Sequence, residues 1–188
     1  MNLPNILTLC RIAAIPAFAL CLLYYGAGFH EGTPAEWQRW LATGLFLAAV
    51  LTDAVDGFLA RRLHQKTRLG TILDPLADKL LLVTALILLC WNYGGAFPQL
   101  PLWLPVLVLS RDIIVVLGIA VIFMLGRGLQ VRPHWIGKVA TFLQMTTLAL
   151  VLLGVSGPWL SAAVWLAGAT TLVSGAIYFA RGIGHLAP

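Results

Sequence analysis

Six stretches of mostly apolar residues follow one another along the chain, near 6–26, 36–60, 70–92, 101–125, 136–155 and 159–181. Each can cross the hydrocarbon core of a bilayer, which takes about 20 residues of helix. A backbone in lipid must satisfy its own hydrogen bonds, so such stretches have to be α-helices. Composition agrees: 60% of the residues are apolar and only 10% are charged, against roughly 25% charged in an ordinary globular domain. The 188 residues suit a single domain. The sequence therefore predicts an all-α integral membrane protein, a six-transmembrane-helix bundle over residues 1–188. The first stretch lacks a basic leader and reads as a retained helix. The second has a start signal in Thr33-Pro34-Ala35-Glu36, with Thr as cap, Pro at the first helical position and Glu at the third.

Twelve Lys and Arg against seven Asp and Glu give a net charge of +5. Arg61, Arg62, Lys66 and Arg68 lie between the second and third stretches. Arg127 and Arg132 lie between the fourth and fifth, Lys138 just inside the fifth, and Arg181 at the end of the sixth. The connections near 93–100 and 154–158 hold neither Lys nor Arg. By the positive-inside rule both termini and the two basic loops are cytoplasmic, an N-in/C-in arrangement. The same placement explains the basic balance by the membrane surface, and there is no nucleic-acid motif. Cys10, Cys21 and Cys90 are dispersed in apolar sequence, without the spacing of a disulfide framework or a metal site.

The acids are the most informative residues. Asp53, Asp56, Asp74, Asp78 and Asp112 fall inside or at the ends of apolar stretches, and only Glu31 and Glu36 are ordinary loop or cap residues. An Asp in a membrane helix costs on the order of 2.5–3.5 kcal/mol and is a functional candidate by default. At about 100° per residue, Asp53, Asp56, Gly57, Ala60 and Arg61 share an arc of roughly 140°, and Gly70, Asp74 and Asp78 one of roughly 80°. Pro75 removes a backbone donor and disfavours helical geometry at Asp74, so a local kink is expected there. Four carboxylates in a low-dielectric pocket are relieved by protonation, or by two divalent cations. Oxygen ligands suit Mg²⁺ or Mn²⁺, and a pair of such ions clamps the oxygens of a phosphoryl-type displacement. Taken singly, each Asp is equally well a partner for a neighbouring Arg or Lys. The set of four, on faces cleared by Gly57, Ala60 and Gly70, reads as a diphosphate-handling site.

These residues resemble a known family. Asp53-x2-Asp56-Gly57-x2-Ala60-Arg61-x8-Gly70-x3-Asp74-x3-Asp78 reproduces every fixed position of the CDP-alcohol phosphatidyltransferase signature. The opening Asn2-Leu3-Pro4-Asn5-Ile6-Leu7-Thr8-Leu9-Cys10-Arg11, together with Ser110-Arg111-Asp112 and Gly137-Lys138-x2-Thr141-x2-Gln144, is similar to the branch of phosphatidylglycerophosphate synthases and CMP-forming cardiolipin synthases. The resemblance implies transfer of a phosphatidyl group from CDP-diacylglycerol to an alcohol with release of CMP. It also implies metal ligation by Asp53, Asp56, Asp74 and Asp78, with Asp78 the catalytic general base. Gly57, Ala60 and Gly70 would let the cytidine approach, and Arg61 would hold the diphosphate. The same likeness implies a homodimer, and the charge-based topology puts the active site on the cytoplasmic face of what is expected to be a bacterial plasma (inner) membrane. The mechanism also stands on chemistry: a hydroxyl needs a carboxylate to take its proton, and the leaving CMP phosphate needs preorganised positive charge.

Arg111, near the middle of the fourth stretch, and Lys138, at the start of the fifth, are costly in lipid unless they face a polar cavity. They are the candidate binding residues for a phosphorylated alcohol acceptor, with glycerol 3-phosphate the leading choice. The plainer readings are a charge pair for Arg111, for instance with Asp112 of a neighbouring protomer, and snorkelling for Lys138. The Arg111-Asp112 pair is similar to cardiolipin synthases, which take phosphatidylglycerol, so that acceptor stays the alternative. Asn5, Thr8 and Arg11 recur every third residue as a polar stripe, either facing the site or anchoring the first helix at the membrane surface. A membrane prenyltransferase would carry more helices and two separated Asp-rich motifs. A transporter or scaffold is the non-enzyme alternative, which metal-dependent CMP release excludes.

Overall fold

The computed structural model describes residues 3–63, 68–91, 95–124 and 135–186; inside the helices, the side chains of 3–7, 53–63, 68–72, 74, 119–123 and 181–186 fall outside the description. The described residues form six helices and no strand: α1 Leu3–His30, α2 Glu36–Leu63, α3 Arg68–Cys90, α4 Trp103–Met124, α5 Trp135–Leu152 and α6 Pro158–Leu186. Each expected stretch is a helix. Among the described residues, Thr8–His30, Trp135–Leu152 and Pro158–Ala180 are long and apolar enough to cross a membrane. All seven tryptophans are exposed, and Trp37, Trp40, Trp91, Trp103, Trp135 and Trp159 stand at helix ends. Amphipathic rings at that level match a membrane interface.

Helix ends differ from expectation where backbone closure, not apolar length, decides them. α1 ends in a Schellman motif. Gly32 has φ 74°, its N–H donates to the Phe29 carbonyl at 3.3 Å, and the Thr33 N–H donates to the Gly28 carbonyl at 2.8 Å. This arrangement satisfies the last carbonyls and favours glycine at the left-handed position. Thr33 thus closes α1 rather than capping α2, which begins at Glu36 after Pro34 and Ala35. α5 stops at Leu152, three residues before its expected end, through the same device. Gly154 has φ 77°, and the Val155 N–H reaches the Leu150 carbonyl at 2.9 Å. Pro75 lies inside α3 and does not end it.

The contacts divide the chain into two compact units: Met1–Gln99 with Leu148–Val155, and Leu100–Thr147 with Ser156–Pro188. In the first, α1 packs along α2 and α3, and α2 touches α3. Thr8, Arg11, Ile15, Phe18, Leu22 and Tyr25 of α1 are all buried. Their alternating steps of three and four keep them within about 100° of arc. Phe18 packs on Phe46 of α2 with ring centroids 5.8 Å apart, and Tyr25 packs on Phe97 at 5.4 Å. From α3, Ala77, Leu81, Leu82, Ala85, Leu86 and Leu89 complete the core.

In the second unit α4 packs on α6. Lipid offers no hydrophobic drive for helix association, so close packing and polar contacts carry it. Both are present. A Cβ on Gly168 would lie 2.5 Å from the Trp103 ring, which stacks on Trp165 at 5.2 Å. Gln144 of α5 donates through Nε2 to Thr171 Oγ1 of α6 at 2.7 Å, and both residues are buried.

Candidate active site

The signature positions fall on two consecutive helices of one unit. Asp53, Asp56, Gly57, Ala60 and Arg61 lie in the last three turns of α2, while Gly70, Asp74 and Asp78 lie in the first half of α3. Both helices pack on α1 and touch each other. The side chains of Asp53, Asp56, Ala60, Arg61 and Asp74, and the surroundings of Gly57 and Gly70, lie outside the described residues. Among the described residues no three His, Cys, Asp or Glu gather to hold a metal, and Asp78 is the one signature carboxylate that set contains.

Asp78 is half-buried and carries an ion pair from the first helix. Arg11 Nη1 donates to Asp78 Oδ1 at 3.0 Å, with side-chain exposures of 2% for Arg11 and 32% for Asp78. The polar stripe on α1 is thus buried at Thr8 and Arg11, not spread on a membrane surface; Asn5 belongs to the side chains outside the description. Because Arg11 continues the same stripe as Ile15, Phe18 and Leu22, the packing that seats α1 also fixes where the guanidinium points.

About 21 Å along α1 from Arg11, at 1.5 Å per residue, a second polar group closes the other end. Tyr25 Oη donates to Glu36 Oε1 at 3.0 Å, and Glu36 lies 3.6 Å from Arg39. Arg39 faces the Trp40 ring at 5.4 Å and points Nη2 at the Leu153 carbonyl at 3.5 Å. This cluster joins three helix ends.

Arg111 and Lys138 both belong to the second unit. Arg111 Nη1 donates to Asp112 Oδ1 of its own chain at 2.8 Å, and Nη2 donates to Ser174 Oγ of α6 at 2.8 Å. The guanidinium lies 5.4 Å from the Tyr178 ring centroid. It covers Gly137, where an added Cβ would come within 2.9 Å of Nη2. Its Nε is buried with no hydrogen-bond partner among the described residues. Arg111 thus has a carboxylate neighbour within its own helix. Lys138, one residue beyond Gly137, is exposed.

Ser174 and Tyr178 were not identified from sequence as site residues. Their signal was present: Thr171, Ser174 and Tyr178 recur at steps of three and four on a mostly apolar helix, so they share one face.

Over residues 1–173 the chain matches the CDP-alcohol phosphatidyltransferase family. It is 39% identical over 186 residues to a probable phosphatidylglycerophosphate synthase of Mycobacterium tuberculosis, spanning 97% of this chain and 82% of that one. It is 36% identical over 199 residues to the CDP-diacylglycerol--glycerol-3-phosphate 3-phosphatidyltransferase of Bacillus subtilis, spanning 96% and 94% of the two chains. With the enzyme of the same name from Escherichia coli it shares 38% identity over 151 residues, 80% and 76% of the respective chains.

Proposed function

Because the chain belongs to the CDP-alcohol phosphatidyltransferase family, we propose that it transfers the phosphatidyl group of CDP-diacylglycerol to glycerol 3-phosphate. The products are phosphatidylglycerol phosphate and CMP. The observation that carries this reading is the complete signature on α2 and α3 of one unit, in a chain whose relatives across three bacteria bear the name of that reaction.

An all-carboxylate donor set on two touching helices fits Mg²⁺ or Mn²⁺. Asp78, the one signature carboxylate among the described residues, lies 3.0 Å from the Arg11 guanidinium. Asp53, Asp56, Asp74 and Asp78 would hold two such ions, whose chemistry is to neutralise the diphosphate and the charge that grows on CMP. Asp78 takes the proton of the acceptor's hydroxyl. The hydroxyl oxygen attacks the phosphorus that bears diacylglycerol, the bond to the bridging oxygen breaks, and its electron pair leaves with CMP. Arg61 holds the diphosphate, while Gly57, Ala60 and Gly70 leave room for the cytidine.

Arg111 and Lys138 bind the acceptor's phosphate. The support is a guanidinium close to the start of α5 whose buried Nε lacks a hydrogen-bond partner among the described residues. An orphaned buried donor on a fixed cation suits an incoming anion. The whole chain forms one six-span membrane domain, N-in/C-in, in a bacterial plasma membrane, with the site facing the cytoplasm and two copies forming a dimer.

The test uses the purified protein in detergent with Mg²⁺ or Mn²⁺, CDP-diacylglycerol and either labelled glycerol 3-phosphate or labelled phosphatidylglycerol. Phosphatidylglycerol phosphate and stoichiometric CMP are expected from the first acceptor. Cardiolipin from the second, with no product from the first, would replace this acceptor by phosphatidylglycerol.

A further inference from the structure

We propose that Arg11 is a positioning residue for Asp78: α1 presents its guanidinium to one carboxylate oxygen and so sets the direction in which the other addresses the acceptor's hydroxyl. The inference rests on the reading of Asp78 as the base. Arg11 stands 67 residues from Asp78 in sequence, so the pair exists only when α1 is seated on α3. Its side chain is 2% exposed and lies within the buried stripe that includes Ile15, Phe18, Leu22 and Tyr25.

A guanidinium in that stripe is an expensive way to pack a helix. Withdrawing an ion from water is costly, and attraction to its partners repays that cost only in good geometry. An apolar side chain there would give packing without that cost. What Arg11 adds is direction. An Asp side chain has two rotatable bonds, and the contact at 3.0 Å on Oδ1 restricts both. Arginine is suited to this by its planar fork of donors, where lysine supplies only a point charge on a flexible stem. A base displaced by about 1 Å loses on the order of a hundredfold in rate, so holding Asp78 is a direct contribution to turnover.

The experiment measures kcat and KM for both substrates in purified, metal-supplemented Arg11→Gln, Arg11→Lys and Asp78→Asn, with thermal unfolding of each as the check on folding. For Arg11→Gln the expected result is a fall in kcat of about a hundredfold, with the CDP-diacylglycerol KM within about twofold of wild type, the pattern of an interaction that matters in the transition state. Arg11→Lys should lie between Arg11→Gln and wild type. If Arg11→Gln does not fold, Arg11→Lys carries the test, by a lower kcat at unchanged KM. Wild-type kcat in a folded Arg11 variant overturns the proposal, as does an effect confined to the CDP-diacylglycerol KM, which would make Arg11 a ligand of the diphosphate. Asp78→Asn separates the two layers: turnover surviving there removes the base itself, whereas its loss beside an unaffected Arg11→Gln removes only the positioning.

Discussion

At the residue scale, the two cations assigned to the acceptor differ in how tightly the fold holds them. Arg111 is tied to Asp112, Ser174 and the Tyr178 ring, whereas Lys138 is exposed. Lys138→Gln should therefore raise the KM for glycerol 3-phosphate with little change in thermal stability. A charge-assisted hydrogen bond is worth roughly 1.5–3 kcal/mol, so the rise should be ten- to a hundredfold. Arg111→Gln should raise the same KM and also lower the unfolding temperature, because the bonds to Ser174 and Asp112 are lost. Steady-state kinetics and a melting curve on each variant check both; unchanged acceptor KM in the two would leave them as structural charges. The four aspartates were legible in the sequence because charge is conspicuous in apolar surroundings. Their partners were not. Arg11 was visible as part of a polar stripe, but its pairing with Asp78 depends on how α1 seats on α3, which no local pattern encodes. Ser174 escaped notice because hydroxyl groups are common in membrane helices and rarely conspicuous.

Elements were legible in number and kind, and less so in their ends. An apolar run reports the lipid it must cross, while a helix continues until its last carbonyls are closed. Hence α1 extends from Leu3 to His30 and α6 to Leu186, beyond the apolar runs, and α5 stops short at the turn containing Gly154. Helix packing adds a requirement that the sequence states only as a glycine. Gly168 lies under the Trp103 ring, and a methyl group there would meet it at 2.5 Å. Gly168→Ala should push that ring off Trp165 and cost about 1–3 kcal/mol, the usual penalty of overpacking. Unfolding in detergent measures it. A variant as stable as wild type would mean that Trp103 swings aside freely and that α4 does not depend on this contact.

For the whole molecule, the proposed orientation can be read from outside. The segment around Gly95, between α3 and α4, carries no Lys or Arg, and the exposed Trp91 and Trp103 flank it. Single cysteines at Gln65 and Gln130, both outside the described residues, should react with an impermeant thiol reagent only from the cytoplasm, in a background lacking Cys10, Cys21 and Cys90. A cysteine at Gly95 should react only from the opposite side. The reverse pattern would place the aspartates on the wrong face for a cytoplasmic nucleotide. The hydroxyls bear on how such a chain is made. Thr141, Thr146, Thr147, Thr170 and Thr171 each donate to a carbonyl four residues back in their own helix, and so enter lipid already satisfied. The contact between Arg11 and Asp78 is of another kind, since it joins two helices. A chain made from its N-terminus can therefore complete this contact only once α3 has followed α1, 67 residues later.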